Sequence, residues 1–451
     1  MRIIIVGDGK VGSTFAQRLS KAGHDVTIID KRATALQHTS ESLDIMAIEG
    51  NGTTLEIQRE AGVEQADLLI AATNTDEQNL LTCLIAKRAG AKHTIARVRS
   101  PEYVKEISLI QEDLGLSLTI NPELACATEM ARVLRFPSAV KIDTFTGGRV
   151  EILKHCLSPN SPLVGIPLSE LSRFKARVLI CAVERGKEVF IPNGSFQLAA
   201  GDRISIMAQP RDAFLFFRKI GAPTSPVRQI MLLGGGRIAY YLAAQMADFG
   251  ANVKIIEQDY AVCRTLAEAL PNVTILHGDG TDHDLLESEG IFDADAFVSL
   301  TGRDEENLLM ALTAKDSGVA KVLPKMSRPN YTALVHDLGI DTVISPKDVT
   351  ASQISSYVRG LANSQGSAVE SLHKILGGAM EAVEFTATGA THFLNTPLKD
   401  LNFKPGLLVA AIVHGGKLLI PGGHSIISEG DRVIVVAKSL FLKDLNDILV
   451  R

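Results

Sequence analysis

The sequence predicts an α/β protein built twice: two doubly wound parallel-sheet lobes, each followed by a small α+β C-terminal lobe. Three observations carry this. The N-terminus runs an apolar strand into a glycine turn, Ile3-Ile4-Ile5-Val6-Gly7-Asp8-Gly9-Lys10-Val11-Gly12. A second apolar strand enters Gly234-Gly235-Gly236-Arg237-Ile238, with Gly234 placed 227 positions after Gly7. The residues downstream of both turns then recur in the same order, so a whole unit is duplicated rather than a motif.

Each element follows from local pattern. Ile3 to Val6 is a short continuous apolar run, the signature of a parallel strand buried on both faces. Phe15, Leu19 and Ala22 recur at helical spacing after it. Val26 to Ile29 is the next strand, closed by Asp30, and Leu68 to Ala72 a later one. Thr75 or Asp76 is placed to cap a helix with Leu80, Leu81, Leu84 and Ile85 on one face; Gly90 ends it. Thr94 to Val98 is another strand, and a helix is expected from Glu102 to Leu114. Alternating strands and helices make a parallel sheet covered on both faces.

The second half repeats these signals. Glu257 stands where Asp30 does, and Gly278-Asp279-Gly280-Thr281 where Gly50-Asn51-Gly52-Thr53 does. Thr73 to Leu81 matches Thr301 to Leu309, Arg97 meets Lys325, and Pro101-Glu102-Tyr103 meets Pro329-Asn330-Tyr331. The following modules repeat as well. Gly147-Gly148 answers Gly377-Gly378, and Gly201-Asp202-Arg203 answers Gly430-Asp431-Arg432. Those modules are β-rich and end in helical stretches, Asp212 to Ile220 and Leu440 to Leu449. The expected boundaries are 1–122, 137–221, 228–347 and 366–451, with a Pro/Gly/Ser linker at Gly221 to Pro226.

Composition narrows the function. A chain of 451 residues is too long for one core. Its net charge of −5 argues against a nucleic-acid binder working by bulk electrostatics. Apolar runs such as Leu407 to Val413 fall far short of a membrane span, and the N-terminus does not read as a signal peptide. Five scattered cysteines without a C-x-x-C pair read as reduced, buried thiols of a cytosolic protein.

The glycine pattern has a specific chemistry. Gly7 permits the tight turn, Gly9 lets backbone approach a pyrophosphate, and Gly12 lets the helix pack closely on the sheet. The phosphate then meets the helix N-terminus. Asp30 is placed to accept hydrogen bonds from ribose hydroxyls, favouring NAD-type or adenosine ligands. Thr73 and Asn74 lie at the carboxyl edge of the sheet, and Arg97 at a strand end is suited to a diphosphate or triphosphate. Asp8 is the anomaly: a carboxylate in a phosphate turn repels its ligand unless it points away or a cation bridges them. The second site, Gly234, Gly235, Gly236, Arg237, Ile238 and Glu257, has Ala239 for the third glycine, Gly302 for Asn74 and Lys325 for Arg97. His277, Asp279, Asp282, His283 and Asp284 resemble metal ligands, but such loop groups usually cap or solvate, so no metal is expected.

The glycine turn, Asp30, the Thr73 to Glu77 segment with Asn79, and Arg97 to Tyr103 together resemble the regulator-of-potassium-conductance (RCK) family. The tandem layout resembles the regulatory subunits of bacterial Trk-type potassium uptake systems over nearly the whole chain. The resemblance implies a non-enzymatic protein that binds NAD(H) and/or ATP/ADP at Gly7 to Val11, Asp30, Thr73, Asn74 and Arg97. It implies a ring-like homo-oligomer, cytoplasmic and peripheral on the inner face of the membrane. Its partner is then a membrane-embedded potassium-transport subunit. Two alternatives remain, an NAD-dependent oxidoreductase and a nucleotide sensor with a non-transport target. The first is disfavoured because His155, His392, His414 and His424 are not repeated between halves, whereas a duplicated enzyme is expected to repeat its catalytic group.

Overall fold

A computed structural model describes residues 1–450 except 137–138, 147–148, 187, 225, 329–334, 336–337, 341, 364–368, 377–378, 439–441 and 443. Pro329 to Tyr331, Gly147-Gly148 and Gly377-Gly378, and most of the expected boundary near residue 366, lie outside the described residues.

The first lobe contains β1 (Arg2–Val6), β2 (Asp25–Asp30), β3 (Met46–Glu49), β4 (Leu68–Ala71), β5 (His93–Arg97) and β6 (Leu118–Ile120). All pair in parallel, in the order β3-β2-β1-β4-β5-β6. That order reverses direction at β1, which opens a crevice beyond the carboxyl ends of β1 and β4. Ile4, Leu69 and Ala96 on these strands pack with Cys83 and Ala86 of the covering helix.

The first C-terminal lobe holds β7 (Lys141–Phe145), β8 (Val150–Cys156), β9 (Val178–Arg185), β10 (Glu188–Phe190) and β11 (Arg203–Ala208) in one antiparallel sheet, ordered β10-β9-β11-β8-β7. The second parallel sheet is β12 (Gln229–Leu233), β13 (Asn252–Glu257), β14 (Thr274–His277), β15 (Ala296–Ser299) and β16 (Lys321–Pro324), ordered β14-β13-β12-β15-β16. A parallel bridge from Lys325 to Ile344 stands where β6 pairs with β5 in the first lobe. The last sheet is β17 (Val369–Ile375), β18 (Met380–Thr386), β19 (Leu407–His414), β20 (Lys417–Leu419) and β21 (Arg432–Lys438), ordered β17-β18-β21-β19-β20. It repeats the first C-terminal sheet strand for strand.

The chain divides into two compact units: Met1–Ala131 with Arg228–Ser355, and Arg132–Val227 with Ser356–Arg451. One joins the two parallel-sheet lobes, the other the two C-terminal lobes. In the latter a single core is shared, with Phe145, Ile152 and Met207 from one sheet packing with Met380, Ala411 and Ile434 from the other.

Local sequence explains the helices. Helix Lys10–Lys21 buries Gly12, Phe15, Ala16 and Leu19, the 3.6-residue stripe of an amphipathic helix. In helix Asp76–Ala89 the Thr75 hydroxyl accepts from the Gln78 amide, acids fill the first turn, Lys87 and Arg88 the last, and Gly90 caps it at φ +120°. The helix after Pro101 ends at Ile110, short of Leu114. The expected helix Asp212 to Ile220 appears as Pro210–Lys219. Its counterpart does not follow: the described part of Leu440 to Leu449 is a 3₁₀ turn, Leu445–Ile448. Asp444 and Asp447 cap each other there, and Asp and Asn compete with the backbone for its own hydrogen bonds.

Candidate functional site

The first turn is tight. Gly7 sits at φ +107°, and a Cβ on it would lie 2.8 Å from the Ala72 carbonyl oxygen. A Cβ on Gly12 would lie 1.8 Å from the Gly7 oxygen, so helix and turn touch through backbone alone. Gly9 is the helix N-cap with no side-chain hydrogen bond, and nothing lies within 4 Å of where its Cβ would be. Lys10 and Val11 continue the first turn of helix behind it. An open glycine cap leaves amide N–H groups for an anion.

Asp30 ends β2 beside this turn. Its Oδ2 accepts the Asp8 amide at 2.7 Å, and its Oδ1 accepts the Arg32 amide at 2.9 Å and Nε at 3.1 Å. Burial pulls the Asp30 carboxyl up, but Arg32 and the Asp8 amide outweigh it and hold it below the ordinary value. Asp8 is itself buried. Its Oδ2 accepts the Thr39 hydroxyl at 2.7 Å, on the neighbouring helix, while Oδ1 is buried without a partner. Burial, with the Asp30 charge, pushes its pKa up against the Thr39 bond. The carboxylate is thus turned to helix Ala33–Ser42, which removes the anomaly seen in the sequence. Lys10 shows no bond to Asp8; its charge acts on Lys325 of the second lobe.

Across the crevice Asn79 organises the ends of β4 and β5. Its Oδ1 accepts both the Thr73 amide and hydroxyl at 2.7 Å, and its Nδ2 donates to the Arg97 carbonyl at 2.8 Å. The Arg97 guanidinium donates to the Thr73 carbonyl at 2.5 Å. Arg97 is 8% exposed and its Nε is buried without a partner, so it is no solvated strand-end charge. Burial and then the nearby Arg99 lower its pKa, yet a guanidinium stays charged. Asn74 is exposed, and its carbonyl accepts from Arg99.

The second site repeats this frame. Gly234 has φ +95°. Glu257 Oε2 accepts the Gly235 amide at 2.6 Å, as Asp30 does for Asp8. A Cβ on Gly235 would come within 3.1 Å of the Glu257 Cβ, so the longer acid goes with the smaller neighbour. Asn307 accepts the Thr301 amide at 2.8 Å and donates to the Lys325 carbonyl at 2.9 Å. Gly236 and Arg237 are exposed at the helix start, and Ile238 is buried. Burial lowers the Lys325 pKa.

The two sites are neighbours. Tyr241 on the second glycine-turn helix donates to the Arg99 carbonyl at 2.9 Å and accepts from Asn121 at 3.0 Å. Arg18 on the first such helix binds Asp348 and Ser352. Each glycine-turn helix therefore docks on a segment of the other half. The Arg237 charge reaches Arg97, and Lys10 reaches Lys325. Glu123 acts on both Arg97 and Lys325, and its Oε2 is buried without a hydrogen bond.

The metal-like residues are taken up locally. His277 Nε2 meets the Gln258 carbonyl, Asp279 accepts from Thr281, Asp282 accepts the Asp284 amide at the start of helix His283–Ser288, and His283 faces Glu287. In the C-terminal unit a cavity of about 680 Å³ is lined by Arg132, Arg135, Glu151, Glu384 and Arg432, and holds no sequence-expected site residue. Sequence reasoning did not assign Asn79 or Asn307 as the organisers of the site. The signal was present, since both recur six residues after the strand-end threonine. The Asp8–Thr39 bond had no such signal.

Known proteins resemble this chain over nearly its whole length. The TrkA-N domain family matches residues 3–122 and 230–346, and the TrkA-C domain family matches 157–221 and 382–448. The chain is 34% identical over 457 residues to Trk system potassium uptake protein TrkA homolog 2 of Methanosarcina mazei, covering 99% of this chain and 100% of that one. It is 33% identical to Trk system potassium uptake protein TrkA of Halomonas elongata, covering 96% and 95%. Among solved structures, the GsuK channel bound to NAD superposes with a TM-score of 0.64 at 18% identity, covering 97% of this chain and 77% of that one. At that identity the likeness is one of fold.

Proposed function

The chain belongs to the TrkA family of Trk-system potassium uptake proteins; from that premise we propose that it is a nucleotide-binding regulatory subunit and not an enzyme. Its ligand is NAD(H) or ATP/ADP, held at Gly7 to Val11, Asp30, Thr73, Asn74 and Arg97. Its target is a membrane-embedded potassium-transport subunit, reached from the cytoplasmic face. Among the described residues no helix is long and apolar enough to cross a membrane.

One observation carries the reading: an open glycine helix cap follows Gly7, which lies against the Ala72–Thr73 backbone to whose Thr73 carbonyl the buried Arg97 guanidinium is bonded. A phosphate chain supplies acceptors to the free amides of that cap. Arg237 acts on Arg97 in the first site and Lys10 on Lys325 in the second, so diphosphate and triphosphate ligands balance the inter-lobe charges differently. Only such a difference in affinity between two arrangements moves an equilibrium. A coupling of about 1–3 kcal/mol corresponds to roughly 5- to 150-fold control.

The structure supports regulation over hydride transfer. His155 packs against Phe217 and His414 pairs with Asp431, both within the C-terminal lobes, and neither histidine has a counterpart in the other half. Exposed Leu81 and Leu309 occupy repeated positions on repeated helices, and Leu109 is 82% exposed. Their exposure suits the assembly face of a homo-oligomer.

The test has two parts. Calorimetry is expected to show NADH and ATP binding that Asp30→Ala and Arg97→Ala each weaken at least tenfold; unchanged binding removes the site assignment. Pull-down from membranes with ATP, ADP, NAD+ or NADH is expected to recover a potassium-transport subunit in a nucleotide-dependent way. Turnover of NADH with a carbonyl substrate would instead establish an oxidoreductase.

A further inference from the structure

The two sites share a phosphate frame but differ at the end where a base would lie. With phosphate on the glycine turn and ribose on the acid closing the second strand, the base lies beyond that acid. It then meets the loops that follow the second and third strands. In the second site Glu257 and His277 are register partners at the ends of β13 and β14. Tyr260 follows Glu257 by three residues at the start of its helix. Its ring contacts His277 edge-on, with centroids 5.5 Å apart and planes at 72°. His277 is fixed by the Gln258 carbonyl at 3.1 Å, and Tyr260 is 64% exposed. A large exposed aromatic thus joins the segments that follow β13 and end β14.

The first site has nothing equivalent. Asp30 pairs in register with Glu49, and the position of Tyr260 is Ala33. There Arg32 lies on Asp30 instead.

Resting on the reading of the second lobe as a nucleotide site, we propose that Tyr260 is the stacking platform for the adenine of the second site's nucleotide, with His277 closing the base slot. The second site then draws more of its affinity from the base, and the first more from phosphate through Arg97. A base has a π-face whatever its substituents, and stacking on an aromatic side chain is a strong, sequence-tolerant contact. Glu257 holds the ribose in both accounts, which gives a control separate from the ring.

The experiment is calorimetry of the full chain with ADP and with NAD+, in an Asp30→Ala background that weakens the first site. Removing the ring by Tyr260→Ala is expected to weaken the remaining binding event about 5- to 150-fold. Tyr260→Phe keeps it within about threefold, and circular dichroism stays unchanged because the side chain is exposed. Were Tyr260→Ala to bind as tightly as its parent while Glu257→Ala abolished binding, the stacking role would be wrong and the second site would stand. Were no second event seen, or one indifferent to Glu257→Ala, the second-site reading itself would fall, and this proposal with it.

Discussion

The turn after β1 is tighter than the turn after β12. A Cβ on Gly7 would stand 2.8 Å from backbone, whereas one on Gly234 would stand 3.3 Å away. Behind the first turn Gly12 admits no side chain, yet its counterpart Ala239 is accommodated and fully buried. The first site carries Asp30 and Arg97, the second Glu257 and Lys325. The Asn79 and Asn307 brackets are nonetheless retained in both lobes. The lesson is that the asparagine brackets are kept in both lobes, while the glycine turns and the residues beside them have diverged.

The largest expected effect breaks that asymmetry at the turn. Gly12→Ala forces a methyl to 1.8 Å from the Gly7 oxygen, where only backbone movement relieves it. Binding at the first site should fall by two orders of magnitude or more in calorimetry. Ala239→Gly should change binding at the second site by less than threefold. Loss at both, or at neither, would mean that the turns are equivalent after all.

A smaller effect sharpens the shared bracket. Asn79→Ala strands the Thr73 amide, takes away the Arg97 carbonyl's bond to it and leaves the Thr73 hydroxyl only long contacts at 3.5 Å to Thr75 and Gln78; it should cost about 2–3 kcal/mol in thermal or chemical unfolding. Asn307→Ala should cost about 1 kcal/mol less, because the Thr301 hydroxyl is bonded to the Arg303 carbonyl and does not depend on Asn307. Equal losses would remove the distinction.

The smallest effect is a difference in pH dependence. Burial holds the Lys325 pKa below its ordinary 10.5. A bound phosphate favours the charged amine, so binding is coupled to proton uptake once the free amine begins to deprotonate. Affinity at the second site should therefore decline as pH rises from neutral towards 10.5. Arg97 does not deprotonate, so the first site should show no matching decline. Titrations at increasing pH in the Asp30→Ala and Glu257→Ala chains separate the two.

Much of this was legible in the residues. The apolar runs, the glycine turns and the capped helices are local signals, and their repetition multiplied them. Strand-end acids were readable because each closes the second strand of its sheet, and each accepts an amide of its glycine turn. The described part of Leu440 to Leu449 departs from the expected helix because apolar residues alternate with Asp and Asn there, and local capping wins over helix extension. The fate of Asp8 was hidden as well, since Thr39 lies 31 residues away on another helix.

By itself, then, the sequence determined the doubled α/β plan, the two glycine turns and the inequality between them. These depend on backbone conformation and on strand and helix periods, which neighbouring residues dictate. Tertiary structure alone decided that Asp8 faces away from the turn, that Arg97 is buried with an unbonded Nε, and that each glycine-turn helix docks on the other half. It also decided that Tyr260 meets His277. Those outcomes depend on which distant surfaces come together, and on how a buried charge finds partners once water is excluded.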